Sequence, residues 1–520
     1  MRPRAFFCAV LFASALVAPA LRAADPLDPR GLPGPLVLAG GGKITPDARK
    51  AFFDLAGKGK AKIVVITTGG VGEDPKRAAE IVKAWEELKP ASVVTLHTLD
   101  KKKADDPDFV KPLAEASGVW LHHTGPRKLV AAYRGTRVEK ELKKLHARGG
   151  VIGGVGGGDE ALGSLLIELG EEPVAGFDLL PGYIIGEKLT KVIAARPVYV
   201  GLFVPDEAGL VIRGRVARVI GDTPITVHVA KGAGKPAANE EYKAGSLIDI
   251  VQLHRAALNR AAKEPFPPAK PPEAVVSKGS LVIVGGGGAG PEIWKRFIEL
   301  AGGVDSTIVV VTSAMEDPLA PESVEEKILK KFGAKTVVAL HTRDRKEADD
   351  PKFSDVLTMA KGVWFSGGRQ WRFVDSYEGT LTEKRFRDVL ARGGAIGGSS
   401  AGASIQSDYM PRGHPLGNAV MAAEGYERGF GYLPGCAVDQ HFFARKRTAD
   451  MTGLMKEYPQ YLGIGLDEGT AIVVTGGTAE VVGKSKVAFY DTTKKPDGEK
   501  DYEEVFPNEK YDLKERRKIK

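Results

Sequence analysis

Gly398-Ser399-Ser400-Ala401-Gly402 follows the apolar run GAIGG and precedes AGASIQ. A serine among small residues at a strand-to-helix turn has its hydroxyl lifted clear of the sheet, as a nucleophile attacking an acyl carbon requires. The start of the following helix would favour a developing oxyanion. A glycine-rich turn whose serine only caps the helix has the same spacing, and Ser399 could supply that cap while Ser400 reacts. The hydroxyl also needs a base to take its proton. Of nine histidines, His97 and His341 occupy matching positions on two apolar runs and read as structural. His414 lies in a loop near Ser400 in sequence, and His441, in PGCAVDQHFF, ends an apolar segment where an exposed site could lie. A carboxylate should orient the imidazole, and GIGLDEGTAIVV offers Asp467 and Glu468.

Such residues need a scaffold whose strands end on one side. In the second half, LVIVGG, TIVVVTSA, KTVVALHT and GVWFSGG read as buried strands, with PEIWKRFIELAG, ESVEEKILKKFG and TEKRFRDVLARGG as amphipathic helices. Strict alternation implies a parallel sheet covered on both faces, with sites where loops leave the carboxyl ends of strands. The pattern occurs twice. GPLVLAGGG at 34–42 answers GSLVIVGGGG at 279–288, VVTLHTLDKKKADDPDF at 93–109 answers VVALHTRDRKEADDPKF at 337–353, and ARGGVIGG answers ARGGAIGG.

From residue 93 through the serine region the offset is 244 residues, so Gly156 stands where Ser400 does. Lys188 stands for His441, and Thr124, Gly125 and Pro126 for Gly368, Arg369 and Gln370, while an acidic pair persists as Asp206 and Glu207. The first copy lacks both nucleophile and base and should be inactive. The expected fold is α/β: a tandem duplication of a three-layer α/β/α sandwich with a mostly parallel sheet. Its parts are an inactive domain at 35–258, a proline-rich linker at 259–278, a catalytic domain at 279–491, and a charged, loose extension at 492–520.

The second copy, over nearly all of 279–491, resembles cyanophycinase and its relatives in the peptidase E group of serine peptidases. The resemblance rests on G-G-S-S-A-G-A around Ser400, G-G-R-Q at 367–370, D-Q-H-F at 439–442 and D-E-G-T-A at 467–471. It implies a fold like that of class I glutamine amidotransferases, with serine replacing their nucleophilic cysteine. It further implies Ser400 as nucleophile, His441 as general base and then acid, and Glu468 as the orienting carboxylate, with Asp467 the second choice. The N–H groups of Gly368 and Ala401 would form the oxyanion hole, and Gln370, Asp439, Gln440, Arg445 and Arg447 would bind substrate.

Those residue types suit cyanophycin, a polyaspartate with arginine on every side chain. Arginines can hold carboxylates bidentately and Asp439 can meet a guanidinium. The implied reaction releases β-Asp-Arg dipeptides through an acyl-enzyme. The alternatives are an aspartyl dipeptidase-like exopeptidase and a non-catalytic binding protein. Two positions depart from the family: Arg369 where Asn or Asp is usual, and Thr448-Ala449-Asp450 where a further basic residue is common. The family's dimers imply that copy one packs on copy two as a built-in partner, an intramolecular pseudo-dimer.

The 520 residues carry a formal charge of +8, of which three arginines fall in the first 24 residues. The rest is too weakly and evenly charged to argue for nucleic acid. MRPRAFFCAVLFASALVAPALRAADP has a basic start, a short apolar run and an A-x-A site, and reads as a secretory signal peptide over 1–24, a retained anchor being the alternative. A secreted or periplasmic chain with no membrane association after cleavage is expected. Cys8 would leave with the signal, and Cys436 alone permits no intrachain disulfide. No His, Cys, Asp and Glu cluster has ligand spacing, so neither metal nor cofactor is expected. A dinucleotide motif at Gly285-x-Gly287-x-x-Gly290 is met cheaply by a four-glycine run, and the second strand ends in TSA instead of placing an acid for a ribose.

Overall fold

The structure is a computed structural model describing residues 27–70, 74–122, 125–168, 171–232, 234–317, 319–494 and 500–520. The expected signal segment lies outside the described residues, as does Thr124. Among the described residues, no helix is long and apolar enough to cross a membrane.

In the second half the strand Val276–Val284 shows how the layers arise. Side chains alternate across a strand, so Leu281 and Ile283 face one core with Phe365, Phe386 and Val389, while Val282 and Val284 face another with Trp294, Phe297 and Trp364. Helices Trp371–Tyr377 and Leu381–Ala391 contribute to the first core, and Pro291–Leu300 and Val324–Lys331 to the second. A strand buried on both faces needs a continuous apolar run, as LVIV supplies. Burying each such side chain contributes about 1.5–3 kcal/mol, which is why these segments dominate the fold.

The strands expected from sequence form a parallel run in the order Thr336–Leu340, Thr307–Val311, Gly362–Phe365, Ala395–Ser399 and Val276–Val284. The sheet then continues antiparallel through Thr470–Gly476, Thr478–Gly483, Lys510–Asp512 and Arg517–Ile519, so it is mixed where a mostly parallel sheet was expected. The antiparallel part is built from hairpins, the first turning at Gly476 and Gly477. A smaller sheet, absent from the sequence reading, orders Ser407–Tyr409, Leu433–Asp439, Leu462–Leu466, Val487–Tyr490 and Glu503–Val505. The strand Leu433–Asp439 delivers His441.

The first half has a sheet of matching order, from Ser92–Leu96 through Lys62–Ile66, Gly118–His122, Val151–Val155 and Leu32–Ala39 to the antiparallel Ala208–Gly214, Val216–Gly221 and Leu247–Asp249. It also has a smaller sheet containing Tyr183–Ile185 and Val200–Phe203. Helix Ile250–Ala261 follows the last large-sheet strand, where the second half continues into another strand instead.

Within the C-terminal extension, residues 500–520 are not loose. Its strands join both sheets of the second half, Val505, Tyr511 and Leu513 are buried, and Tyr511 stacks on Phe489 with ring centroids 3.8 Å apart. Its high charge concealed apolar residues that a sheet edge could bury.

Candidate active site

Ser400 directly follows the strand Ala395–Ser399 and precedes the single turn Ala401–Ser404. Its backbone lies at φ 55, ψ −111, a conformation rare for a residue with a side chain and costing on the order of 1–3 kcal/mol. The neighbouring packing imposes it: the Ser400 amide donates to Val284 O at 3.1 Å, and a Cβ on Gly402 would lie 2.0 Å from Phe365 O. The small residues of G-x-S-x-G are therefore there to let the turn press onto the sheet. Ser400 occupies the N-cap position but makes no capping bond with its side chain, so the cap alternative does not describe this turn.

His441 comes from the end of a different sheet. It follows Leu433–Asp439, takes a left-handed backbone (φ 51), and its amide donates to Gly285 O at 2.6 Å. The Ser400 Oγ and His441 Nε2 atoms lie 2.9 Å apart, and His441 Nδ1 lies 2.6 Å from Glu468 Oε1. With the proton on Nδ1 donated to Glu468, Nε2 is free to accept from the serine hydroxyl. Burial holds the His441 imidazole below its ordinary value of 6.5, against the hydrogen bond to Glu468 that raises it, with Arg445 and Arg447 adding to the lowering.

Adjacent acids do different things here. Asp467 accepts from the Ala444 amide at 3.0 Å and from Ser485 Oγ at 2.8 Å, while Glu468 meets the imidazole. Glu468→Gln is expected to lower kcat/KM about 10²–10⁴-fold, because the imidazole loses the partner that fixes its tautomer. Asp467→Asn should change it by less than about tenfold. Steady-state kinetics on the two purified variants check the assignment.

The glycine run at 285–288, which fits a dinucleotide motif only by its glycine content, has another task. A Cβ on Gly286 would sit 2.3 Å from His441 Cε1, so the imidazole can lie there only over bare backbone. Near Ser400, a Cβ on Gly367 would be 3.7 Å from the serine Cβ, which puts the G-G-R-Q loop beside the nucleophile. Among the described residues, the Gly368 and Ala401 amides donate to no other group.

The residues expected to bind substrate are placed less simply. Asp439 is fully buried and already held: Arg412 Nε lies 3.0 Å from both of its oxygens, Arg447 Nη1 is 3.0 Å from one, and the Gln440 amide is 3.0 Å away. Burial pushes the Asp439 carboxyl up, and the two guanidiniums oppose that. It does not face an incoming guanidinium as expected, because the chain supplies its own. Arg447 is likewise buried and donates to Gln440 O at 2.7 Å, which removes it from the surface where a substrate carboxylate would meet it.

Arg445 is exposed, and its charge is felt at His441. Gln370 is buried, its Nε2 donating to Pro411 O and Arg412 O at 2.9 Å. Arg369 does not project as a free charge but donates to His414 O and Gly417 O. His414 itself accepts from the Leu416 amide and is tied into this loop. His341 Nδ1 sits 3.2 Å from Thr312 Oγ1, consistent with a structural part.

Sequence reasoning missed Arg412. Its guanidinium also reaches Asp450 Oδ2 at 2.7 Å, so the acidic residue noted as a departure has a basic partner 38 positions away. Nothing periodic marks Arg412, since it lies in an irregular segment.

In the first half the same turns stand without these groups. Gly156 has φ 53 against 55 at Ser400, and Lys188 has φ 54 against 51 at His441. Among the described residues, no group of three or more His, Cys, Asp or Glu is placed to hold a metal ion.

A hydroxyl on a strained turn above a sheet, an imidazole within reach, and a carboxylate behind it form the arrangement used by acyl-transfer hydrolases. Residues 281–482 match peptidase family S51. Cyanophycinase from Geminocystis herdmanii (strain PCC 6308) is 31% identical over 220 residues, covering 41% of this chain and 81% of that protein. Cyanophycinase from Synechococcus elongatus is 31% identical over 230 residues, covering 41% of this chain and 68% of that one. The chain belongs to peptidase family S51. A solved peptidase from an acI-B1 Actinobacterium is similar at 18% identity and a TM-score of 0.35, over 42% of this chain and 98% of that one.

Proposed function

We propose that the second half is a serine-type peptidase acting on an aspartate-rich peptide, with cyanophycin as the first substrate to test. The observation that carries this reading is the unbroken line from Ser400 Oγ to His441 Nε2 at 2.9 Å and from His441 Nδ1 to Glu468 at 2.6 Å. Ser400 Oγ attacks the scissile carbonyl carbon while His441 Nε2 takes its proton, and Glu468 stabilises the imidazolium. The carbonyl oxygen, now negative, is held by the Ala401 and Gly368 amides. His441 then gives the proton to the leaving amine as the C–N bond breaks. Water, deprotonated by the same imidazole, cleaves the acyl-serine and restores the hydroxyl.

The similarity to cyanophycinases supports cyanophycin, and exposed Arg445 could meet an aspartate carboxylate. The occupied Asp439 favours a second reading, an exopeptidase for short acidic peptides, because an arginyl side chain would find that acceptor taken. The first half, with the same strand order and empty turns, is proposed to be a duplicated domain that has lost its chemistry and remains as an intramolecular partner. With residues 1–24 read as a signal peptide, the site would work outside the cytoplasm.

Incubating the full chain with cyanophycin and with short Asp-X peptides, beside Ser400→Ala, tests the reading. Release of β-Asp-Arg supports cyanophycin, and cleavage of short peptides alone supports the exopeptidase. Absence of any Ser400-dependent hydrolysis leaves a binding protein.

The acid limb of kcat/KM provides a second check. Only neutral imidazole accepts the serine proton, and burial disfavours the charged form, so activity should persist below pH 6.5 and fall as pH drops through the lowered value. Arg445→Ala removes a nearby positive charge and should move the midpoint upward. A midpoint unmoved or lowered in that variant would contradict the electrostatic part of the reading.

A further inference from the structure

The first half touches the second at one irregular segment more than elsewhere. Glu424-Gly-Tyr-Glu427 lies within residues 410–432, between strands Ser407–Tyr409 and Leu433–Asp439. Every residue of that tetrapeptide is held from the first half. Arg260 pairs bidentately with Glu424 at 2.6 and 2.8 Å, Arg255 Nε donates to Gly425 O at 2.9 Å, Arg215 Nη2 donates to the Tyr426 hydroxyl at 2.7 Å, and Lys235 meets Glu427 at 2.8 Å. Arg255 and Arg260 lie on helix Ile250–Ala261, the element that replaces a strand of the second half.

The same segment reaches the candidate site. The Met410 amide donates to Glu427 O at 2.6 Å, and two residues later Arg412 holds Asp439, which leads directly into His441. Arg412 takes a left-handed backbone (φ 60), a costly conformation for a non-glycine that tethered neighbours help to hold. Arg369 and Gln370, beside Gly368, are bonded to the same segment at 411–417. The helix that follows them is braced from the first half too, through Arg215 to Asp375 at 2.6 Å and Arg255 to Glu378 at 2.6 Å.

By contrast, Ser400, His441 and Glu468 stand at strand ends and on the glycine run, with no hydrogen bond to the first half among the described residues. Ser400 and Glu468 thus rest on the sheets, while the 411–430 segment, which bonds the G-G-R-Q loop and the approach to His441, is held from the first half. Resting on the hydrolase reading above, we infer that the first half is a positioning surface that sets the 411–430 wall of the second half's site, with Arg260 and Lys235 as its positioning residues. A wall displaced by about 1 Å costs substrate alignment and leaves the nucleophile intact.

Glu424→Lys in the full chain places a positive charge against Arg260 and Lys235. It should raise KM about tenfold or more for the peptide the wild type cleaves, while Ser400 labelling by a fluorophosphonate stays within about twofold. Chymotrypsin should cut faster after Tyr426, which is buried in the intact chain. Adding Arg260→Glu restores an opposite pair and should return KM to within about threefold of wild type. Unchanged KM and unchanged cleavage after Tyr426, failure of the charge swap to restore KM, or an equal loss of labelling would each overturn the inference. Absence of labelling in the unsubstituted chain would instead sink the hydrolase reading, and the chymotrypsin comparison would still judge the surface.

Discussion

Replacing Ser400 by alanine is expected to lower kcat/KM by about 10⁴-fold or more, with little change in stability. The hydroxyl is the one group in the line that would form a bond to substrate, and no other side-chain hydroxyl lies within hydrogen-bond distance of His441 Nε2 among the described residues. Alanine also retains the Cβ that the turn already accommodates, so the strained backbone gains no new clash. His441→Ala should cost a similar factor, and the double variant little more than either, because the two act as one unit. Measured rates on the cleaved peptide, with circular dichroism to verify folding, decide this. Residual activity above about a hundredth of wild type in Ser400→Ala would place the nucleophile elsewhere.

Arg412→Ala is expected to have the largest effect on stability, about 3–5 kcal/mol, or on the order of 10 °C in Tm. The residue is 2% exposed, and its side chain joins Asp439, Asp450 and the carbonyls of Asn418 and Ala419. Removing it leaves the buried Asp439 carboxylate with Arg447 as its remaining guanidinium partner, a much larger penalty than losing an exposed ion pair. Activity should fall as well, since Asp439 sets the strand end from which His441 projects. Thermal unfolding of the variant beside wild type provides the measurement. A loss under about 1 kcal/mol would mean that Arg447 alone suffices to keep Asp439 paired.

Helices and parallel strands of the second half were legible because their apolar runs and 3.6-residue patterns are local, and each segment carries its own signal. The extension at 500–520 was not, since its strands become recognisable only where Thr478–Gly483 and Val487–Tyr490 offer edges to pair with. Likewise, comparing the two halves of the sequence singled out Ser400 and His441, and the corresponding turns share a backbone conformation while only one of each pair carries the reactive side chain.

From its sequence alone this protein's nucleophile candidate, base candidate and α/β alternation could be read, since each depends on residues adjacent in the chain or repeated at a fixed offset. The resemblance ranked Glu468 ahead of Asp467, and in the folded chain it is Glu468 that meets the imidazole, because consecutive residues at a strand end project in different directions. Tertiary structure alone decided that Arg412 fills Asp439 and that the first half grips residues 424–427. Opposite charges and hydrogen-bonding groups are matched there across long loops, and that matching has no period or spacing in one dimension; it exists only once the backbone has brought distant segments together.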